Sequence, residues 1–274
     1  MLHKDEKNLS YPVGILAGSS YDIGGVERHI LLLLSYSDRK RFRFIVFAPL
    51  RFLEMLSDLQ LDNVQLVEWQ MQTKHELYAI SGLWRKLRSS GIKLLHIHDP
   101  RSAVIGRVMA KILKIPVVYT VHLPPYHYVT GARKWLYQFI EGILNKRFTD
   151  RVIYVSHSVR EEALHAHLVL KSRSLVIENG VDLKQYTKYV DRKAVRKALN
   201  TPEGAMVFCF VGRFTEQKGL DVLLRALKAL RDQHDVFRVW LVGDGPLRAQ
   251  LEQYAAEENL GSIVQFLGYR GDVP

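Results

Sequence analysis

Short apolar runs alternate with longer stretches of helical periodicity along most of the chain. Seven β-branched or aromatic runs before residue 180 are predicted as strands: YPVGILAG, FRFIVFAP, VQLVEW, KLLHIHD, PVVYTVH, RVIYVS and SLVIEN. Most are apolar at nearly every position, which is typical of strands covered on both faces. The clearest helical patterns between them are VERHILLLLSYS, RSAVIGRVMAKILK and HSVREEALHAHL. This alternation predicts an α/β fold with a parallel sheet and helices on both sides.

The alternation stops between Gly180 and Gly204, where charged residues dominate, and then it resumes. Three further strands are predicted at MVFCFVGR, FRVWLVGDG and IVQFLGY, with helices at LDVLLRALKALRDQ and PLRAQLEQYAAEEN. We therefore predict a first domain at residues 1–183, a linker at 184–204 and a second domain at 205–274. A doubly wound domain usually has about five or six strands. We expect the second domain to be incomplete in this sequence.

Positive charge is concentrated in the first part of the chain. The 274 residues carry a formal net charge of +11, and residues 1–190 hold 27 Lys and Arg against 17 Asp and Glu. Residues 191–274 hold 12 against 11. A basic excess of this kind favours an acidic partner such as a membrane surface or a phosphorylated substrate. No nucleic-acid recognition motif accompanies the charge, so no nucleic-acid partner is predicted.

Cysteine content and hydropathy indicate a reducing compartment and no membrane span. The one cysteine, Cys209, lies in the apolar run VFCFVG and is predicted to be a buried small hydrophobic residue rather than a nucleophile. The N-terminal stretch MLHKDEKNLS is polar, unlike a signal peptide, and the apolar run HILLLLSY is too short to span a bilayer. We expect a cytoplasmic protein that is soluble or peripheral on the inner face of the cytoplasmic membrane.

Two cations and a glycine follow the first strand of the second domain. Arg213 ends the strand MVFCFVGR, and Lys218 and Gly219 precede the helix that is predicted to begin near Leu220. Ligands of parallel α/β sheets bind at the carboxyl ends of the strands, against helix N-termini. A diphosphate would suit this position. A solvated loop with a glycine turn is the alternative.

Several motifs occur in a fixed order along the chain: GGVERHI, HIHDP, TVH, YVSHSVRE, ENGVD, VGRFTEQKGLDVLLRAL, LVGDGP and FLGY. Together they resemble the family 4 retaining glycosyltransferases of the GT-B fold, from about Val13 to the end of the sequence. The resemblance implies two Rossmann-like domains facing a cleft. It also implies a retaining, hexosyltransferase-type enzyme that uses a UDP- or GDP-linked sugar. The acceptor would be a hydroxyl of an envelope polysaccharide or a lipid-linked glycan.

The resemblance assigns donor-side roles to residues that match the family motifs. Arg213 and Lys218, with Gly219, would grip the diphosphate of the nucleotide-sugar. Gly24 and Gly25 would lie against the donor phosphates and the acceptor. His122 would act catalytically, beside the sugar and its phosphate. The loop Gly243, Asp244 and Gly245 would approach the nucleotide base.

The motifs specify fewer residues for acceptor binding and for metal binding than for donor binding. Glu27 and Arg28 could contact the acceptor or could be ordinary surface positions of the first helix, and His98 could line the cleft. His96, His98 and Asp99 form a metal-like cluster in sequence, but no further ligand is spaced to complete a site. No metal or other cofactor is therefore predicted, and the resemblance implies metal-independent transfer.

The segment GARKWLYQFIEGILNKRF after His122 is amphipathic. Basic residues flank its apolar stripe, which comprises Trp135, Leu136, Phe139, Ile140, Ile143 and Leu144. Such a helix could rest on an anionic membrane. It could equally pack its apolar stripe against the sheet.

One family signature has no counterpart in this sequence. The family carries a later acidic loop with two glutamates that contact the donor sugar and ribose, and no Glu here occupies either position. We expect the 274-residue chain to be truncated before that motif and to be weakly active or inactive. Two alternatives to transfer are a nucleotide-sugar epimerase of the same fold and a non-catalytic nucleotide-sugar or membrane-surface binding module.

Overall fold

The computed structural model describes residues 10–17, 24–71, 76–187, 189–231 and 237–273. The chain divides into two compact units, Met1–Val181 and Asp182–Pro274. The stretch 184–204, which was predicted as a linker, overlaps two short helices, Leu183–Tyr186 and Arg192–Ala198, and belongs to the second unit.

The first unit is built on a seven-stranded parallel sheet with strand order β3-β2-β1-β4-β5-β6-β7. The strands are β1 (Tyr11–Leu16), β2 (Phe42–Ala48), β3 (Val64–Glu68), β4 (Leu94–Ile97), β5 (Val117–Val121), β6 (Arg151–Tyr154) and β7 (Ser174–Val176). All seven predicted strands are therefore confirmed, as is the parallel α/β class.

Helices cover both faces of this sheet. They are α1 (Gly25–Tyr36), α2 (Leu50–Ser57), α3 (Glu76–Ser90), α4 (Pro100–Ile112), α5 (Gly131–Arg147) and α6 (His157–His165). Successive side chains of a strand point to opposite faces. Accordingly, Ile15 and Val46 belong to one buried apolar cluster, whereas their neighbours Leu16 and Phe47 belong to another. The two clusters show why these strands are apolar at successive positions.

The second unit has a three-stranded parallel sheet of order β10-β9-β8. Its elements are α7 (Leu183–Tyr186), α8 (Arg192–Ala198), β8 (Met206–Val211), α9 (Leu220–Arg231), β9 (Phe237–Val242), α10 (Arg248–Glu257) and β10 (Val264–Gly268). Arg196 attaches α8 to the start of β8, because its guanidinium donates to the carbonyls of Pro202, Glu203 and Ala205 at 2.8–3.1 Å.

Strand β8 differs from the prediction in one respect. Cys209 is exposed, so its assignment as a buried residue was wrong. The reason is that β8 is an edge strand of this sheet, and most of its side chains are accessible on both faces. An apolar run alone does not reveal whether a strand is central or at an edge.

The carboxyl ends of β8, β9 and β10 are tied together through the backbone. The Phe214 N–H donates to the Asp244 carbonyl at 2.8 Å, and the Gly243 N–H donates to the Gly268 carbonyl at 2.8 Å. Gly243 adopts φ +136°, and a Cβ there would lie 1.9 Å from the carbonyl oxygen of Gly212. At Gly245, with φ +158°, a Cβ would lie 2.5 Å from the Phe214 carbonyl oxygen. Only glycine fits at either position without backbone movement.

Helix α5 of the first unit buries a polar face. Arg107 of α4 is fully buried and donates to both carboxylate oxygens of Glu141, at 2.8 and 3.2 Å, and to Asn145 Oδ1 at 2.8 Å. Its Nε donates to the Ala103 carbonyl, and the guanidinium lies 4.5 Å from the centroid of the Tyr119 ring. This network holds α5 against α4. Within the described residues, no helix is long and apolar enough to cross a membrane.

Replacing Gly243 with alanine should loosen the second unit. The left-handed backbone costs a residue with a side chain about 1–3 kcal/mol, and the new Cβ collides with the Gly212 carbonyl. We expect faster hydrogen–deuterium exchange in peptides covering β8 and β9, measured by mass spectrometry. Gly261→Ala is the matched control, since a Cβ there meets nothing within 4 Å. Unchanged protection in Gly243→Ala would contradict the steric argument.

Replacing Glu141 with glutamine should destabilise the first unit, because the buried Arg107 charge loses its counter-charge. We expect a loss of about 3–5 kcal/mol, measured as opening free energies of α4 and α5 amides by native-state hydrogen exchange. Glu161→Gln, which breaks the more exposed pair with Arg160, should cost no more than about 1 kcal/mol. Equal losses in the two variants would show that burial does not increase the contribution of the Arg107–Glu141 pair to stability.

Candidate functional site

The N-terminus of α1 faces the carboxyl edge of the first sheet. Gly24 precedes the helix, and its N–H donates to Glu27 Oε2 at 2.8 Å. Against the described residues, a Cβ at Gly24 would approach only Glu27, at 3.5 Å, and a Cβ at Gly25 would meet nothing within 4 Å. Neither glycine has a left-handed φ. The packing of the described residues therefore gives no reason for a glycine at either position.

The two charged residues after these glycines have different environments. Arg28 is exposed, as a surface helix position would be. Glu27 is buried, which excludes one of its two predicted alternatives, that of an ordinary surface position of the helix. One carboxylate oxygen caps the helix, whereas the other, Oε1, has no hydrogen-bond partner among the described residues. Glu27 therefore caps α1 from a buried position.

Four histidines lie together where β4 and β5 end. His96 Nε2 is 2.8 Å from the Thr120 hydroxyl, and His98 Nδ1 is 3.3 Å from His122 Nε2. His29 comes from α1, with its ring centroid 4.9 Å from that of His122 and 5.3 Å from that of His98. His98 is only 1% exposed. Within the described part of the chain, the His98 side chain is therefore covered by its neighbours and does not itself line an open surface.

His29 was not identified from the sequence. It lies within the GGVERHI motif, but the sequence analysis included it only as one position of the helical pattern VERHILLLLSYS. Helical periodicity shows which residues share a helix face, but it does not show which strand ends that face meets. The described structure supplies that information, and it places His29 in the same cluster as the predicted residues His98 and His122.

Burial keeps these imidazoles neutral at physiological pH. Desolvation, together with the neighbouring His29, lowers the pKa of His122 to about 4. Desolvation is also the main cause of the lowered pKa of His96, about 3, and of the strongly lowered pKa of His98. The pKa of His29 falls less, because a hydrogen bond with the Asn179 side chain opposes the effect of burial. A neutral ring nitrogen can donate or accept a hydrogen bond, depending on its tautomer.

In the second unit, the predicted diphosphate residues follow β8. Arg213 and Lys218 are both exposed, and Lys218 ends a short 3₁₀ turn, Glu216–Lys218. Gly219 follows with φ +63°, and its carbonyl accepts from the Leu223 N–H at the start of α9. The left-handed conformation accounts for glycine at this position.

The loop at Gly243, Asp244 and Gly245 lies against the same strand end, through the Phe214–Asp244 backbone hydrogen bond. Asp244 Oδ1 accepts from the Gly245 N–H at 2.7 Å, and Oδ2 accepts from Arg248 at 3.0 Å. These hydrogen bonds lower the pKa of the Asp244 carboxyl. The structure thus brings the two predicted donor-side motifs of this unit together at one edge of its sheet.

Solved structures share this fold at low sequence identity. HepE from Anabaena in complex with UDP-glucose matches with a TM-score of 0.78 and 22% identity, over 95% of this chain and 70% of that one. WaaG, a glycosyltransferase involved in lipopolysaccharide biosynthesis, matches with a TM-score of 0.68 and 16% identity, over 95% and 70%. The fold is therefore of the GT-B type, as the sequence predicted.

Curated relatives are longer than the region that aligns. A UDP-Gal:alpha-D-GlcNAc-diphosphoundecaprenol alpha-1,3-galactosyltransferase from Escherichia coli is 27% identical over 270 residues, covering 95% of this chain and 64% of the relative. A D-inositol 3-phosphate glycosyltransferase from Corynebacterium efficiens is 29% identical over 227 residues, covering 75% and 52%. The chain thus spans less than two thirds of either relative.

Family models account for nearly all of the chain. Residues 191–274 match the model of glycosyl transferases group 1. Residues 23–185, more than half of the chain, match the model of glycosyltransferase family 4. The family 4 match covers the histidine cluster, and the group 1 match covers the two cations Arg213 and Lys218. The chain belongs to glycosyltransferase family 4.

Proposed function

We propose that this protein is a glycosyltransferase that moves a sugar from a nucleotide-diphosphate sugar to an acceptor hydroxyl. The observation that carries the proposal is the placement of Arg213 and Lys218 around the end of β8, ahead of the 12-residue helix α9. Two cations and a helix N-terminus favour an anion at that edge. Because residues 191–274 match a glycosyltransferase family, we propose that this anion is a nucleoside diphosphate.

The same two cations have a catalytic use. When the sugar–phosphate bond breaks, negative charge builds on the departing nucleoside diphosphate, and fixed positive groups stabilise that charge. Arg and Lys side chains are charged at neutral pH. We propose on this basis that transfer proceeds without a divalent metal at the diphosphate.

His122 is proposed to orient the donor through a neutral imidazole. Because its pKa is lowered to about 4, the ring does not carry an additional proton at neutral pH and is a weak general base. A neutral ring can still hydrogen-bond a sugar hydroxyl or a phosphate oxygen. The acceptor proton would pass to the departing phosphate, and the anomeric configuration would be retained. Among the described residues, the space beside Gly24 and Gly25 is largely unfilled, which would let a phosphate or an acceptor approach the N-terminus of α1 closely.

The names of similar proteins suggest which donor and which acceptor to propose. The E. coli relative is named for a UDP-linked galactose and a diphosphoundecaprenol-linked acceptor, and HepE was solved with UDP-glucose. We propose a UDP-linked hexose as donor and a glycan of the cell envelope, carried on a lipid, as acceptor. Transfer of a sugar to such a lipid-carried acceptor would take place at the inner face of the cytoplasmic membrane.

Replacing Arg213 or Lys218 with glutamine should weaken binding of UDP and of UDP-hexoses. A hydrogen bond to a charged group contributes about 1.5–3 kcal/mol, so we expect the dissociation constant to rise about 10- to 100-fold in isothermal titration calorimetry. Arg225→Gln is the matched control, because Arg225 is an exposed cation of the same region that pairs with Asp221 within α9. Unchanged UDP affinity in both test variants would overturn the diphosphate assignment.

An epimerase of the same fold is the second candidate. Incubation with a UDP-hexose separates the two candidates, because an epimerase releases free nucleotide and an altered sugar without any acceptor. A transferase releases UDP only when an acceptor hydroxyl is supplied. Nucleotide binding with neither reaction would favour the binding-module alternative.

Contact with an anionic membrane is proposed for the outward face of α5. Because the polar residues around Glu141 face inward, the apolar residues Trp135, Phe139 and Ile143 are exposed. The rings of Trp135 and Phe139 stack with centroids 5.5 Å apart. They border a groove of about 420 Å³ that is also lined by Lys146 and Arg147. Apolar residues flanked by cations suit the surface of an anionic bilayer.

The double variant Trp135→Ser/Phe139→Ser should lose affinity for vesicles that contain phosphatidylglycerol. Burying one large apolar side chain contributes about 1.5–3 kcal/mol, so we expect the partition coefficient in a sedimentation assay to fall at least about tenfold. Leu50→Ser is the control, since Leu50 is similarly exposed on α2. Equal partitioning of the double variant and the native chain would exclude α5 as the membrane contact.

A further inference from the structure

Two histidines at the carboxyl edge of the first sheet are hydrogen-bonded to each other. His98 follows β4 and His122 follows β5, and His98 Nδ1 lies 3.3 Å from His122 Nε2. Burial lowers the pKa of His122 to about 4 and strongly lowers the pKa of His98, so both rings are neutral at physiological pH. A neutral imidazole carries one N–H, on one nitrogen or the other. One of the two facing nitrogens therefore donates its proton to this hydrogen bond, and the other accepts it.

The second nitrogen of His98 indicates which ring is the donor. His98 Nε2 is buried and has no hydrogen-bond partner among the described residues. If His98 Nδ1 accepted the hydrogen bond, the proton of His98 would lie on Nε2, as a buried N–H without a partner. If His98 Nδ1 donates, Nε2 keeps only an unused lone pair. Buried N–H groups without a partner are rarer in proteins than acceptors whose capacity is not fully used. This comparison favours His98 as the donor.

The His98 side chain is held in place by its surroundings. It is 1% exposed, and its ring centroid lies 4.0 Å from that of His96 and 5.3 Å from that of His29. The next residue, Asp99, caps α4 and accepts the Arg101 N–H at 3.1 Å, which fixes the backbone beside His98. A ring that is packed in this way has little freedom to rotate. A hydrogen bond from this ring therefore also fixes the orientation of the ring that accepts it.

The ring that accepts this hydrogen bond is the half-buried His122, for which we have proposed a role in orienting the donor. Its Nε2 is occupied by His98, so Nδ1 is the nitrogen that is left for a ligand. Phosphate oxygens are strong hydrogen-bond acceptors. They need an N–H on Nδ1, which His122 carries only when its Nε2 accepts the proton of His98. The requirement of the ligand and the buried nitrogen of His98 thus favour the same tautomer.

We infer that His98 is a positioning residue for His122. It donates from Nδ1 to His122 Nε2, and it thereby keeps the His122 proton on Nδ1, where a phosphate oxygen of the donor can accept it. The purpose of this arrangement rests on the proposed sugar transfer, but the tautomer is a property of the protein without nucleotide. The sequence suggested that His98 could line the cleft, whereas its burial makes it act through His122.

The tautomer can be measured directly in the native chain. Long-range ¹H–¹⁵N correlation spectra of protein with ¹⁵N-labelled histidine rings, recorded at neutral pH without nucleotide, show which nitrogen of each ring carries the proton. We expect His122 in the Nδ1–H form, with its signals assigned by their absence from His122→Asn. The exposed His165, the last residue of α6, is the internal reference and should show both tautomers in rapid exchange. A proton on Nε2 of His122 would overturn the inference without any binding measurement.

Two substitutions separate the hydrogen bond of His98 from its packing. His98→Asn keeps an N–H donor near the position of Nδ1, whereas His98→Leu fills the buried space but has no donor. We expect His98→Asn to preserve the His122 tautomer. His98→Leu should lose it and should raise the dissociation constant for UDP-glucose about 3- to 10-fold in isothermal titration calorimetry. Packing alone predicts the opposite order, because leucine fills an apolar site better than asparagine. Folded variants in which Leu binds UDP-glucose as tightly as Asn would overturn the inference.

The positioning role and the proposed function fail in different measurements. If His122 carries its proton on Nδ1 but the native chain does not bind UDP-glucose, the role of His98 is supported and the nucleotide-sugar assignment is refuted. If the native chain binds UDP-glucose with the His122 proton on Nε2, the role of His98 is refuted and the nucleotide-sugar assignment is supported.

Discussion

Parallel pairing of β1 with both β2 and β4 is the constraint on which the site of the first unit depends. Every strand of a parallel sheet ends at the same edge. Residues far apart in sequence, such as His98 and His122, therefore emerge side by side. The helix that returns from β1 adds His29 to them. The same rule collects Arg213 and the Gly243–Gly245 loop at one edge of the second sheet, where backbone hydrogen bonds fix their spacing.

Much of this architecture could be predicted from the sequence, and the misses share a cause. Strands buried on both faces are apolar at successive positions, so all seven strands of the first unit were found. Cys209 was misplaced because residue type does not report the position of a strand in its sheet. The alternatives for Glu27 stayed open because residue type does not report the direction of a capping side chain. His29 was missed because helical spacing contains no information about what a helix face meets. The sequence predicted local structure well and contacts between elements less well.

Helix α5 illustrates how a buried charge can determine which side of a helix faces solvent. Its apolar stripe, read alone, allowed packing on the sheet as well as contact with a membrane. Arg107 requires a carboxylate once it is buried, and Glu141 can supply it only by turning inward. Much of the stripe is then presented outward. One ion pair thus determines that most of the apolar stripe of α5 is exposed rather than packed against the sheet.

The glycines of this protein are not equally informative about ligands. Those at 243 and 245 are required by neighbouring backbone atoms whether or not a nucleotide ever binds. Their preservation in an alignment of relatives would report the folding of the second unit. Gly24 and Gly25 meet no such demand from the described residues. Selection that kept glycine at those two positions would therefore reflect something other than the packing of the described residues, so a comparison of relatives aimed at the substrate should give these two positions more weight.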